Sequence, residues 1–104
     1  MSAVVVVARL FPKEGATSRM LDALASAAAA IHAEPGCELY AAHSAPDGTV
    51  VIIEKWSSRE ALDAHLAGEP VKASRVARTD FEAAPPHVEV LTPAPAGDAA
   101  RGAL

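Results

Sequence analysis

The chain opens on an apolar block, Ala3 to Phe11 (AVVVVARLF), rich in β-branched residues and closed by Pro12, which predicts a strand. Its four central valines leave no polar face. From Ala16 to His32 the period changes, with Leu21, Leu24, Ala28 and Ile31 recurring at helical spacing in an alanine-rich run that Glu34-Pro35-Gly36 stops. Cys37 to Ser44 (CELYAAHS) and Thr49 to Trp56 (TVVIIEKW) flank Pro46-Asp47-Gly48 and predict a hairpin. Ser57 to Glu60 has the Ser-x-x-Glu form of a capping box, and the ALDAHLAG that follows predicts a helix ending at Gly68. Pro70 suits the first turn of a further helix, running to about Phe81. Pro85-Pro86 breaks that run, and His87 to Thr92 (HVEVLT) alternates like a half-buried strand. The remainder, Pro93 to Leu104, is rich in Ala, Pro and Gly and reads as a flexible tail, which leaves residues 1–92 as the folded domain.

Strand, helix, strand, strand, helix pair, strand is the βαββαβ order of an α+β, ferredoxin-like domain with an antiparallel sheet. That topology puts the first and third strands in the centre. Val4 to Val7 and Val50 to Ile53 are continuous apolar runs, as buried central strands require, whereas CELYAAHS and HVEVLT are mixed. Helices in this topology cover one face of the sheet, so a centre that is apolar on both faces needs a second cover. A second copy, packed face to face as a homodimer, supplies it most simply.

Composition narrows the partners. Nine Lys+Arg against 13 Asp+Glu give a formal net charge of -4, with no basic field for nucleic acid or an anionic membrane surface. The apolar runs are too short to span a bilayer. The single cysteine, Cys37, has no intrachain partner, and the N-terminus lacks the pattern of a signal peptide, so the chain reads as cytoplasmic. Neither Asn nor Gln occurs.

Three segments, AEPGCELY (Ala33 to Tyr40), VIIEKWSS (Val51 to Ser58) and EALDAHLAGEPVKAS (Glu60 to Ser74), resemble the antibiotic biosynthesis monooxygenase domain, which includes small quinol monooxygenases. The resemblance runs from the first strand to about Leu91 and is carried by Glu34-Pro35-Gly36-Cys37, Glu54-x-Trp56 and Leu62-x-x-His65-Leu66. It implies a dimeric α+β barrel of two ferredoxin-like units, each with a small apolar pocket between sheet and helices. Family members oxidise phenols or quinols with molecular oxygen and neither flavin nor metal; others degrade haem, isomerise small signalling molecules or have no known activity. The fold alone therefore does not fix the chemistry.

His65 lies beside Leu62 and Leu66 on its helix, at the edge of the apolar face. Oxygenation without a cofactor needs the substrate as its anion, and an imidazole is a proton acceptor suited to near-neutral pH, so His65 is the candidate general base. Glu54 and Trp56 share a strand face: Glu54 is expected to orient His65 or else to pair with an arginine across the dimer, and Trp56 to wall the pocket or else to cap the core at the strand's end. Tyr40 and His43 have opposite parity, and Tyr40 is the better candidate to meet a substrate oxygen. Arg9 is expected to neutralise an anionic substrate or to meet Glu54, with Leu62 and Leu66 lining the pocket. Glu34 is expected to accept backbone N–H groups in its turn, Gly36 to supply the unusual backbone angle, Cys37 to be a small apolar residue and His87 to lie at the surface. His32-x-Glu34 lacks the later Pro-Cys-x-x-Cys of a zinc deaminase, so no metal site is expected.

The sequence departs from the resemblance at two places. Glu69 and Pro70 stand where many family members carry a Pro-His pair, and the Asn that phenol oxygenases and haem degraders in the family use is missing. Three functions stay open: a cofactor-independent monooxygenase acting on a small aromatic with O2 through His65; a non-catalytic dimeric module binding a small ligand or haem; and a structural dimer whose pocket is filled by its own side chains.

Overall fold

The computed structural model describes residues 2–104. The elements run β1 (Val4–Pro12), α1 (Thr17–His32), β2 (Cys37–Ser44), β3 (Val50–Trp56), α2 (Arg59–Leu66), α3 (Glu69–Arg78), a single 3₁₀ turn (Thr79–Phe81) and β4 (Glu82–Leu91). The four strands form one antiparallel sheet in the order β2-β3-β1-β4. This is the ferredoxin-like arrangement, with the two most apolar strands in the centre as their valine and isoleucine runs require.

The period-2 rule sorts the central strands. Val6, Ala8 and Leu10 of β1 and Val50, Ile52, Glu54 and Trp56 of β3 face the helices and are buried. Met20, Leu24 and Ile31 of α1 and Leu62 of α2 close over them. Each large aliphatic side chain among them contributes about 1.5–3 kcal/mol on leaving water, and together these contacts hold the helices on one face. The other face carries Val7, Val51 and Ile53, which no helix covers and which remain partly accessible.

Three local readings change. The cap of α2 is Ser58 rather than Ser57: Ser58 is extended and its Oγ accepts from Ala61 N at 3.1 Å, whereas the Ser57 N–H is taken by Gly36 O at 2.8 Å. The last strand begins at Glu82, five residues earlier than the alternation indicates, and runs through Pro85-Pro86. An edge strand tolerates prolines because one row of its N–H groups has no ladder partner, and the pairing with β1 shifts register around Phe11 to accommodate them. The helix begun at Glu69 ends at Arg78, and the 3₁₀ turn carries the chain on to Phe81. Beyond β4, Ala94, Ala103 and Leu104 come back beside Val5 and Leu91, the tail turning through Asp98, whose carboxylate accepts from Ala100 N and Arg101 N.

Candidate active site

Between the helix-facing side of the sheet and α2 and α3 lies a mostly apolar cavity of about 220 Å³. Val6, Ala8 and Ile52 form its floor, Leu62 and Val71 its sides, and Leu66, Val88 and Val90 its rim. Its polar lining comprises Tyr40, Glu54, His65, Arg75 and Arg78.

His65 is only 2% exposed. Its Nδ1 lies 3.0 Å from Glu34 Oε1, and its Nε2 lies 3.9 Å from Glu54 Oε1. An ionised carboxylate only accepts, so the Nδ1–H donates to Glu34 and Nε2 is the nitrogen turned towards Glu54 and the cavity. The Trp56 indole stacks on the imidazole, with centroids 4.4 Å apart and planes at 28°, and the Tyr40 ring meets it edge-on at 5.9 Å.

Glu34 reaches this position because of the turn that follows α1. Gly36 has φ +82°, in the left-handed region open to glycine, and a Cβ there would stand 2.6 Å from Ala61 Cβ and from Ser57 Oγ. The turn therefore packs directly on the first turn of α2. Ala61 and His65 are four residues apart on one helix face, so docking the turn against Ala61 brings the Glu34 carboxylate to His65 one turn further along.

Glu54 accepts from Trp56 Nε1 at 2.9 Å. Burial pushes the carboxyl above its usual range, opposed by that hydrogen bond, by His65 when its ring carries a proton, and by the positive charge of Arg78. Burial, with Glu54 adding to it, also raises the Tyr40 phenol to about 12. Tyr40 therefore remains a protonated hydrogen-bond donor on the cavity wall, beside the imidazole of His65 and the carboxyl of Glu54.

Six of the residues singled out in the sequence meet here: His65, Glu54, Tyr40, Leu62 and Leu66 on the cavity wall and Trp56 behind it. Trp56 is fully buried and absent from the wall, because its flat face is spent on His65 and its N–H on Glu54. Arg9 points to the opposite face of the sheet, where its Nη1 donates to Thr49 Oγ1 at 2.6 Å, so it meets neither the cavity nor Glu54. Glu34, rather than Glu54, holds the imidazole: 3.9 Å is too long for a hydrogen bond. His43 and His87 are exposed, and Cys37 is a free, partly buried thiol.

The residues that sequence reading missed are Arg75 and Arg78. Arg78 is 7% exposed; its Nε donates to Glu82 Oε1 and its Nη1 to Ser74 Oγ, both at 2.9 Å. The signal was available, because Val71, Ser74 and Arg78 repeat at helical spacing on the buried face of α3. Among the described residues no group of three or more His, Cys, Asp or Glu could hold a metal ion, and no helix is long and apolar enough to cross a membrane.

Comparison with known proteins places this geometry in a family. The profile described as antibiotic biosynthesis monooxygenase matches residues 3–76, most of the chain and all of the segments that build the His65 wall. The chain belongs to the antibiotic biosynthesis monooxygenase family. A curated relative from Mycobacterium tuberculosis, named "Putative monooxygenase Rv0793", is 32% identical over 93 residues, covering 88% of this chain and 92% of its own. The solved structure of Rv0793 superposes with a TM-score of 0.81, covering 94% of this chain and 99% of that one. A Caulobacter crescentus CB15 crystal structure whose description carries the family name is 26% identical, with a TM-score of 0.82 over 88% of this chain and 89% of that one. NE2512 of Nitrosomonas europaea, described as of unknown function, is also 26% identical and reaches 0.79 over 93% of this chain and 98% of that one. The antibiotic biosynthesis monooxygenase family thus accounts for the fold and points to a small-molecule substrate.

Proposed function

We propose that this protein is a cofactor-independent monooxygenase that oxidises a small phenol or quinol with O2, His65 acting as general base. The observation that carries the reading is an imidazole on the wall of an apolar cavity with its Nδ1 held by Glu34, so that the free nitrogen is the one turned inward. Nε2 takes the substrate hydroxyl proton, and the Glu34 carboxylate stabilises the imidazolium that forms. The anion gives one electron to O2, and the resulting radical pair combines to form a C–O bond. Loss of water then leaves the ring carbon as a carbonyl. For a quinol, one O2 enters, one oxygen atom remains in a hydroxyquinone and the other departs as water, so the substrate supplies all four electrons. Tyr40 donates a hydrogen bond to the developing oxyanion, and Trp56 fixes the imidazole plane from behind.

We also propose that two copies pair through the face carrying Val7, Val51 and Ile53, since β-branched side chains without a helical cover favour a second sheet against them. The unpaired Cys37 thiol fits a reducing, cytoplasmic setting.

The test is oxygen consumption with a panel of phenols and quinols, the product analysed for one atom of labelled oxygen. Stoichiometric uptake lost in His65→Ala supports the reading. Ligands that stabilise the protein thermally while no oxygen is consumed would replace it with the binding-module alternative, which the Glu69-Pro70 departure from the family's Pro-His pair favours.

A further inference from the structure

Building on the reading of this cavity as a substrate site, we infer that it takes an acidic hydroxyaromatic: one ring with a carboxylate, or a similarly compact anion, besides the hydroxyl that reacts. Failure of this inference and failure of the underlying reading give different results in the test below.

The cavity has two chemically distinct walls. One carries the proton acceptor, with His65, Tyr40 and Glu54 together; the other is α3, which contributes Arg75 and Arg78. Apolar side chains, Val6, Ala8, Ile52, Leu62 and Val71, make up the rest of the lining with others of their kind. A neutral quinol would need no cation here, whereas a guanidinium with free N–H donors on a mostly apolar wall offers an anion a partner.

Arg78 commits two of its five N–H donors, one to Glu82 and one to Ser74, and those bonds fix the plane of the fork while the group remains on the cavity wall. A planar guanidinium locked in this way matches the two oxygens of a carboxylate. Arg75 is exposed one helical turn nearer the start of α3, where it can draw an anion inward. On this wall two cations stand with one carboxylate, Glu82, and the cavity's other carboxyl, Glu54, belongs to the wall that carries His65. Size fits as well: an apolar cavity of about 150 Å³ holds benzene, so the 220 Å³ here takes one substituted ring.

The experiment is calorimetric titration of the intact protein under nitrogen with three probes: 2,5-dihydroxybenzoate, its methyl ester and unsubstituted hydroquinone. The expected result is that the acid binds about tenfold or more tightly than the ester, the scale of one charge-assisted hydrogen bond. Arg75→Gln, a change at an exposed side chain, should reduce that preference several-fold. Glu82→Gln should raise the affinity for the acid several-fold, because it removes the anion that competes for Arg78; a purely structural pair would show no such gain. Arg78→Gln should abolish the preference, and should it fail to fold, the other two variants still decide. Acid and ester binding alike, or the acid more weakly, with hydroquinone bound, would overturn the inference and leave the cavity as a neutral quinol site. Binding of none of the three would overturn both.

Discussion

Glu34 and His65, 31 positions apart in the chain, share a hydrogen bond of 3.0 Å that sets which nitrogen of the imidazole faces the cavity. Replacing Glu34 by Gln keeps the size but lets an amide N–H donate to Nδ1, which moves the imidazole proton to Nε2 and removes the free lone pair. We expect Glu34→Gln to lower kcat for quinol oxygenation by about tenfold or more with KM little changed, as loss of a tautomer-fixing carboxylate does elsewhere. Steady-state oxygen uptake checks it.

Gly36 allows that pairing. Gly36→Ala must hold a Cβ at positive φ and drive it into Ala61 and Ser57, so we expect a loss of at least about 1–2 kcal/mol in denaturant unfolding, with the Glu34 turn displaced from α2. An unchanged midpoint would contradict the described approach of turn to helix.

Glu54 gives stability a pH dependence. Burial raises its folded-state pKa, so the folded protein binds that proton more tightly than the unfolded chain does, and the contribution falls as pH rises from the unfolded carboxylate value, about 4.3, through the raised folded value. Glu54→Gln retains an acceptor for Trp56 Nε1 and cannot ionise. We expect it to stabilise the protein relative to the parent at neutral pH and to lose that advantage below the unfolded value, as read by urea unfolding at the two pH values.

Tyr40 is the only tyrosine. A spectrophotometric titration should therefore show a single phenol ionising near 12, above the ordinary value of about 10, and the midpoint should fall in Glu54→Gln because one of the charges that raises it is gone. The sign for stability follows: the folded state holds the phenolic proton, so unfolding becomes more favourable as pH climbs between those values.

Ile53 lies on the uncovered face of β3. The parent should sediment as a dimer and Ile53→Asp as a folded monomer, because an aspartate facing a second sheet is desolvated without a partner. Equal sedimentation of the two would remove the proposed pairing face.

The β-branched runs and alanine-rich helix made the fold legible, since each element's period is set by its own residues. The position of His65, Tyr40, Leu62 and Leu66 on the cavity wall was legible too, because strand parity and helical spacing assign them a face. Glu34 was not: its partner lies on another element, and a glutamate before Pro-Gly reads locally as a turn acceptor. Arg9 misled for a related reason. Its strand was read correctly, but its parity with Val5 and Val7 turns it away from Val6 and Ala8, and the two cations that do line the cavity, Arg75 and Arg78, belong to α3. The start of the last strand was obscured by Pro85-Pro86, whose effect depends on whether a strand is at an edge, and that is a property of the whole sheet.

The stack of Trp56 on His65 has a practical consequence. Trp56 is the sole indole in the chain and it rests flat against the imidazole, so its emission carries a built-in optical record of that ring. Stopped-flow mixing of unlabelled protein with a colourless ring compound should display arrival, proton movement and departure in real time, and the same trace should be silent to events elsewhere on the molecule.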